Sequence, residues 1–271
     1  MKHILTLTEY NLRSIRRPLL WMLLLMGPAQ LLLSLLPTIL NGGGSYEPPY
    51  MLFRYGMFVP AGCMIAAALL NFFSVLRQNG RSKAIYTLMT LPGSRSQIFF
   101  SQVLSGVIAV LAVVAAQALW YMLLYLPTGL LNNFLTDRYM YKIAGGQVAG
   151  LPDRTSLFLH NGLFLSMMRA RAMRILMPTS LRGILSLLLC ILCPTVCLLA
   201  IPCRRGLFRV LMCVLFAASV FITLMTLLFC YMYIGSTTPT YVHNNLLATL
   251  VVLAAVSGIN ALYGLDRAKN L

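Results

Sequence analysis

Long apolar runs alternate with short polar segments along most of the chain. Each run has about 20 residues or more, the length that crosses the hydrocarbon core of a bilayer at a helical rise of about 1.5 Å per residue. The pattern predicts an all-α integral membrane protein with about six transmembrane helices in a single domain, residues 1–271. The predicted spans are 18–40, 56–76, 98–126, 183–202, 207–234 and 246–265.

Residues 2–17 have a different pattern, in which apolar side chains recur at helical spacing and basic side chains lie between them. This pattern is typical of an amphipathic helix that lies in the membrane interface. The apolar run that follows is longer than the core of a secretory signal and has no small-residue cleavage site after it. It is therefore expected to remain as the first span.

Composition supports the membrane assignment, with 59% hydrophobic residues and a formal net charge of +16. Basic residues cluster at the ends of the predicted spans, where they contact anionic headgroups and set the orientation. The first two inner segments favour a plasma-membrane protein with both termini in the cytoplasm. Nucleic acid is not an expected partner, because basic residues are not interleaved with aromatic ones.

The long segment 127–182 is predicted to be external in this topology, although it is rich in arginine. Within it, residues 157–176 form an apolar stretch with Arg169, Arg171 and Arg174 near one end. An interfacial or re-entrant helix is favoured over a seventh span, because an arginine at mid-membrane costs about 2.5–3.5 kcal/mol on insertion scales. A seventh span would move the carboxyl terminus outside.

The residues that usually carry intramembrane chemistry are absent from the predicted spans. The five acids are Glu9, Glu47, Asp137, Asp153 and Asp266, and all lie outside the spans. The three histidines are scattered, so no catalytic pair or metal cluster is predicted. Cys190, Cys193 and Cys197 share a helix face without a histidine or acid nearby, which favours packing over metal binding.

The chain also lacks the G-x-x-x-x-G-K-[ST] pattern that wraps a loop around nucleotide phosphates. It is therefore not expected to be an enzyme or to hold a cofactor. If it moves a solute uphill, the energy must come from another polypeptide.

The inner loop 77–97 indicates how such a polypeptide could attach. It begins with a turn signal at Asn79-Gly80, after which Ile85, Leu88 and Met89 lie on one face of a short predicted helix. Residues 94–97 form a capping box that starts the third span. A short amphipathic helix between two spans can transmit a push from a cytoplasmic partner. Alternatively, its apolar face rests on the bilayer surface.

At this loop the sequence resembles the permease subunits of ATP-binding-cassette transporters of the type 2 exporter class. Members often carry a Gly and then Leu-x-Thr-Leu-Pro-x-Ser-Arg-x-x-Ile, with Ser-Lys or Ala-Lys just beyond. The matching residues are Gly80, Leu88, Thr90, Leu91, Pro92, Ser94, Arg95, Ile98 and Ser101. Gln102 stands where Lys is common, and Gln78 lies where a Glu is frequent. These departures affect any specific ion pair with a partner.

The resemblance implies a pair of permeases, identical or related, each docked on a cytoplasmic cassette ATPase that binds the ATP. It implies export of a solute that the sequence does not identify. By analogy, residues 82–90 form the coupling helix seated on the ATPase. The residues expected to couple to the ATPase are Ser82, Lys83, Ile85, Tyr86, Leu88, Met89, Thr90, Leu91, Pro92, Ser94 and Arg95.

Two other functions remain open from the sequence. One is a membrane scaffold or sensor subunit that transports nothing. The other is a secondary carrier or channel, which would need a polar path built from amides such as Gln30, Asn71, Gln117 and Asn260. These four amides are instead expected to form hydrogen bonds between helices, each worth about 0.6 kcal/mol.

Overall fold

The described residues of this protein lie almost entirely in α-helices. The computed structural model describes residues 2–41, 58–80, 95–143, 171–178, 180–203, 206–233 and 240–267. The helices are α1 (Lys2–Asn41), α2 (Phe58–Gly80), α3 (Arg95–Ile143), α4 (Arg171–Leu176), α5 (Leu181–Ala200), α6 (Leu207–Tyr233) and α7 (Thr240–Arg267), with a 3₁₀ turn at Ile201–Cys203 after α5. No strand occurs in these ranges.

All of these helices except α4 are long and apolar enough to cross a membrane. A helix pairs its backbone N–H and C=O groups internally, and hydrocarbon offers no other hydrogen-bond partner for them. The structure therefore confirms the predicted all-α, multi-pass membrane protein. The last three predicted spans correspond to α5, α6 and α7, and the second corresponds to α2.

The first two predicted segments form one helix. An interfacial helix at 2–17 and a separate span at 18–40 were expected, whereas α1 runs without interruption from Lys2 to Asn41. Pro18 lies inside this helix. A proline removes one backbone hydrogen bond, but a single missing bond does not end a membrane helix whose other residues remain bonded.

The end of the third span is also different from the prediction. The helix was expected to stop at residue 126, before Pro127, but α3 continues through Pro127 to Ile143 and contains 49 residues. At about 1.5 Å per residue it is about 74 Å long, more than twice the thickness of the hydrocarbon core. The first part of the predicted external segment 127–182 is thus a helical extension of a span.

Little of the apolar stretch at 157–176 can be compared with the prediction. Residues 157–170 lie outside the described residues, and 171–176 form the short helix α4. That the stretch is interfacial or re-entrant, and not a seventh span, stays a prediction.

Contacts within the predicted single domain form two compact units. The first unit is Met1–Leu19, Ile65–Leu111 and Met177–Leu271, and the second is Leu20–Met64 and Ala112–Leu176. Each of α1, α2 and α3 contributes one part to each unit. In α1 the division falls at Leu19, directly after Pro18, where the sequence also changes from amphipathic to mostly apolar.

The first unit is built around α5, which packs against both α6 and α7. Its largest apolar cluster joins α2, α3, α5, α6 and α7 through Val75, Phe99, Leu199, Met212 and Ala261. Van der Waals contact is the main attraction between helices in lipid, because lipid tails are as apolar as the side chains. The close packing of these side chains therefore holds the unit together.

The second unit has a smaller core of aromatic side chains. Tyr121 and Tyr125 on α3 pack with Met173 on α4, which is 3% exposed. The Trp120 indole nitrogen donates a hydrogen bond to the Leu23 carbonyl of α1 at 2.8 Å. The ring of Trp120 also lies against Gly27, where a Cβ atom would be 2.3 Å from the ring. Glycine at this position allows α1 and α3 to approach closely.

A second close approach generates a prediction about stability. A Cβ atom on Gly106 of α3 would lie 2.7 Å from the Thr195 Cγ2 atom and 2.8 Å from the Asn71 Nδ2 atom. Thr195 donates to the Ile191 carbonyl at 2.7 Å, which fixes its rotamer. We expect Gly106→Ala to lower the midpoint temperature of unfolding in detergent, because overpacking costs about 1–3 kcal/mol.

The matched control is Gly62→Ala on α2, where an added Cβ meets nothing within 4 Å. Alanine favours a helix over glycine by about 1 kcal/mol, so this variant should match or exceed the parent in midpoint temperature. Equal behaviour of the two variants would contradict the close packing at Gly106.

Candidate functional site

The predicted ATPase-coupling residues fall in the connection between α2 and α3. Residues 81–94 lie outside the described residues, so the helix predicted at 82–90 stays a prediction. The coupling residues in this group are Ser82, Lys83, Ile85, Tyr86, Leu88, Met89, Thr90, Leu91, Pro92 and Ser94. Arg95 is the first residue of α3. The connecting loop is shorter than the predicted 77–97, since α2 extends to Gly80.

The structure describes the two helices that hold this loop, and a buried polar cluster joins them. Asn71 on α2 is 2% exposed and donates from Nδ2 to the Gln102 carbonyl of α3 at 3.1 Å. The Ser105 hydroxyl lies 2.9 Å from the Asn71 Oδ1 atom and 2.8 Å from the same Gln102 carbonyl. Asn71 therefore uses both ends of its amide to link α2 to α3.

The N-terminal part of α1 contacts the same two helices. The Ser14 and Ser74 hydroxyls are 2.6 Å apart, which links α1 to α2. Asn11 donates from Nδ2 to the Ser101 hydroxyl at 3.5 Å, and the Thr8 hydroxyl lies 3.5 Å from the Ser101 carbonyl. These last two distances are at the long limit of a hydrogen bond. We call Thr8, Asn11, Ser14, Asn71, Ser74, Ser101 and Ser105 the loop-anchoring cluster.

The cluster lies close to the loop on both sides. Ser74 is six residues before the end of α2 at Gly80, and Ser101 is six residues after the start of α3 at Arg95. Six residues of helix span about 9 Å. The N-terminal helix therefore contacts both helices at equal distances from the loop, and residues 81–94 begin and end on helices that are fixed to each other.

Two residues of the family-like motif take part in this arrangement. Ser101, which is fully buried, donates to the Ile98 carbonyl at 2.7 Å and is the residue that α1 contacts. Gln102 stands where the family often has Lys, and its backbone carbonyl accepts the Asn71 bond. A lysine at this position would have the same backbone carbonyl. The departure at Gln102 thus leaves this backbone link unaffected.

The cluster holds no charged side chain, so its strength comes from hydrogen bonds. The Ser14–Ser74 bond is exposed, whereas the side chains of Asn71 and Ser105 are buried in apolar surroundings. A polar group without a partner is costly there, which makes exchange of partners unfavourable. The ion pair between Arg13 and Glu9 nearby is 3.4 Å long, but both side chains are more than 70% exposed. Such an exposed pair adds little to stability.

A second polar group lies in the first unit and joins α5, α6 and α7. His243 on α7 is 3.2 Å from the Ser186 hydroxyl through Nε2 and 3.8 Å from the Cys230 sulfur through Nδ1. Ser186 also donates to the Arg182 carbonyl at 2.8 Å, and the Arg182 guanidinium donates to Asn244. The sequence did not predict this group, because the sixth span was predicted to begin at residue 246, after His243.

The three cysteines of α5 lie in an apolar cluster with Leu250 of α7. Cys193 and Cys197 are fully buried, and the Cys197 sulfur is 3.2 Å from the Ser257 hydroxyl. Their positions fit the packing role that their spacing favours. Across the described ranges, no three His, Cys, Asp or Glu residues come together in a way that could hold a metal ion.

Comparisons with protein families, with curated proteins and with solved structures found no match to this chain.

The anchoring role of Asn71 can be tested by proteolysis of the loop. Asn71→Leu removes the amide link between α2 and α3 and costs about 1–3 kcal/mol. We expect trypsin to cut after Arg81 or Lys83 faster in this variant than in the parent, in sealed inside-out membrane vesicles well below the unfolding temperature.

Thr249→Val is the control, since the Thr249 hydroxyl is exposed and donates to the Asn245 carbonyl of its own helix at 2.8 Å. Its cleavage rate should equal that of the parent. A rate for Asn71→Leu that matches both would show that the cluster does not hold the loop.

Proposed function

We propose that this chain is the membrane subunit of an ATP-binding-cassette exporter, which moves a solute with energy from a separate cytoplasmic ATPase. The observation that carries the proposal is the loop-anchoring cluster beside residues 81–94. The loop with the family-like motif begins and ends on two helices that are bonded to each other through Asn71 and to α1 through Ser14 and Asn11. Six helices that can cross a membrane are also compatible with a permease.

The anchoring gives the loop a mechanical role. A force on a flexible loop is lost in motion of the loop, whereas a force on a loop held at both ends moves the helices that hold it. In this proposal the ATPase pushes on the predicted coupling helix, and α2, α3 and the N-terminal part of α1 move together. Transport requires that the ATPase bind the permease differently in two arrangements.

The energy source follows from the sequence. Because the chain carries no phosphate-binding loop motif, ATP is hydrolysed on the partner. The assembly contains two permeases, identical or related, and the protein lies in the plasma membrane with both termini in the cytoplasm. The basic residues near the inner ends of the spans, such as Arg77 and Arg209, support this orientation.

Gentle purification from the native membrane tests the proposal directly. We expect a cassette ATPase to be purified with the tagged chain and to hydrolyse ATP in lipid nanodiscs. Purification of the chain without an ATPase, or with one whose activity is indifferent to the chain, would favour a scaffold or sensor subunit.

A pair of substitutions tests the coupling helix. Leu88→Asp places a charge on its predicted apolar face, and we expect the ATPase to be lost while the chain stays in the membrane. Thr87→Asp places the same charge on the opposite face of the predicted helix and should leave the complex intact. If both variants retain the ATPase equally, the loop is not the contact.

A further inference from the structure

The four amides considered above as a polar path behave differently in the structure. Asn71 bonds between two helices as expected, and Asn260 donates to the Val256 carbonyl of its own helix at 3.0 Å. Gln30 and Gln117 are fully buried, yet their side-chain nitrogen and oxygen atoms have no hydrogen-bond partner in the described part of the chain. For these two residues the expectation of a bond between helices is wrong.

The same is true of one hydroxyl nearby in the sequence. Thr128 on α3 is fully buried, and its Oγ1 atom also lacks a partner within the described ranges. All three residues belong to the second unit. Buried polar groups in folded proteins are bonded in nearly all cases, and a bilayer offers no bulk water to replace a missing partner. Three such groups in one small unit indicate that something other than this arrangement of the chain bonds them.

The three residues occupy the helix faces that are buried in the second unit. Gln30 follows Met26 by four residues on α1, and Gln117 precedes Tyr121 by four residues on α3, so each pair shares a helix face. Trp120 brings the two helices together through its bond to Leu23. From Gln117 to Thr128 the polar positions extend over about 16 Å of α3, roughly half of the hydrocarbon core.

We propose that Gln30, Gln117 and Thr128 line a hydrogen-bonding path for water and for neutral polar groups of the transported solute, which opens when α1 and α3 separate within the second unit. The three side chains are sealed from solvent in the present arrangement, so such groups reach them only in a second one. This inference rests on the proposed exporter function and adds the chemical class of the solute to it.

The chemistry of the path follows from the side chains that line it. Each amide offers two donors and one acceptor, and the threonine hydroxyl offers one donor and two acceptor lone pairs. Hydroxyl and amide groups match this set. No charged residue is buried among those residues of the second unit whose side-chain exposure the structure describes. An ion would therefore lose its hydration without gaining a counter-charge, which favours an uncharged solute.

Hydroxyl-radical labelling by X-ray radiolysis of water tests the path, with the permease purified together with its ATPase in lipid nanodiscs. Radicals form from water and oxidise methionines beside it. Met26 on α1 is 1% exposed and lies one turn from Gln30, whereas Met212 is 0% exposed and belongs to the apolar cluster of the first unit. We expect Met26 to be oxidised several-fold faster than Met212, and more so when ATP is turned over.

Substitutions test whether the glutamine amides hold the water beside Met26. Gln30→Leu and Gln117→Leu should lower the Met26 rate towards that of Met212, while Gln117→Asn should restore it, because a shorter amide still bonds water. Met26 and Met212 rates that are equal in the parent would overturn the path. So would unchanged Met26 labelling in both leucine variants, which would mean that the amides do not hold the water.

The outcome for the path and the outcome for the exporter function can be told apart on the same samples. A chain that retains an ATPase but shows equal Met26 and Met212 rates overturns the path and leaves the exporter function standing. A chain purified without an ATPase, yet with Met26 oxidised in a glutamine-dependent way, supports the hydrated interior and overturns the exporter function on which its transport role rests.

Discussion

The hydrogen bonds of Asn71 fix two helices of the first unit, α2 and α3, against each other, while close apolar packing holds the unit as a whole. In hydrocarbon an amide cannot exchange a protein partner for bulk water, so the bonds from Asn71 to Gln102 and Ser105 fix the position of α2 against α3. Gly106, one residue after Ser105, lets these helices come close enough for the bonds to form. The N-terminal part of α1 then adds to the same helices through Ser14 and Asn11.

The second unit uses a different balance of forces. Its helices meet at Trp120, which fills the space left by the missing side chain of Gly27 and bonds to the backbone of α1. Packing and one side-chain bond hold this contact, while Gln30 and Gln117 nearby add unfavourable burial without a described partner. The loop-anchoring cluster of the first unit is bonded, although Gln97 and Thr223 elsewhere in that unit each bury an oxygen without a described partner. The second unit buries the side chains of Gln30, Gln117 and Thr128 in the same way.

The predictions made from sequence differed in accuracy for physical reasons. The apolar runs located the spans well, because the need for about 20 apolar residues per crossing leaves little freedom. The start of the first span and the end of the third differ from the helix bounds, because Pro18 and Pro127 lie inside continuous helices that extend beyond the apolar runs. For the candidate site, the motif located the loop between α2 and α3. The contacts of Ser14, Ser74 and Asn71 join residues far apart in the chain, and no local sequence pattern predicts such contacts.

The sequence by itself determined that this is an all-α membrane protein with about six helices able to cross a bilayer, because hydropathy and helical spacing are local properties that hydrocarbon makes decisive. It also located the segment with the family-like motif. Only the tertiary structure decided which polar side chains have partners: Asn71 and Gln117 look alike in sequence, yet one links two helices and the other is buried without a described bond. The difference depends on whether a hydrogen-bonding group of another helix lies beside the amide at the same depth in the membrane. The packing of the helices determines this.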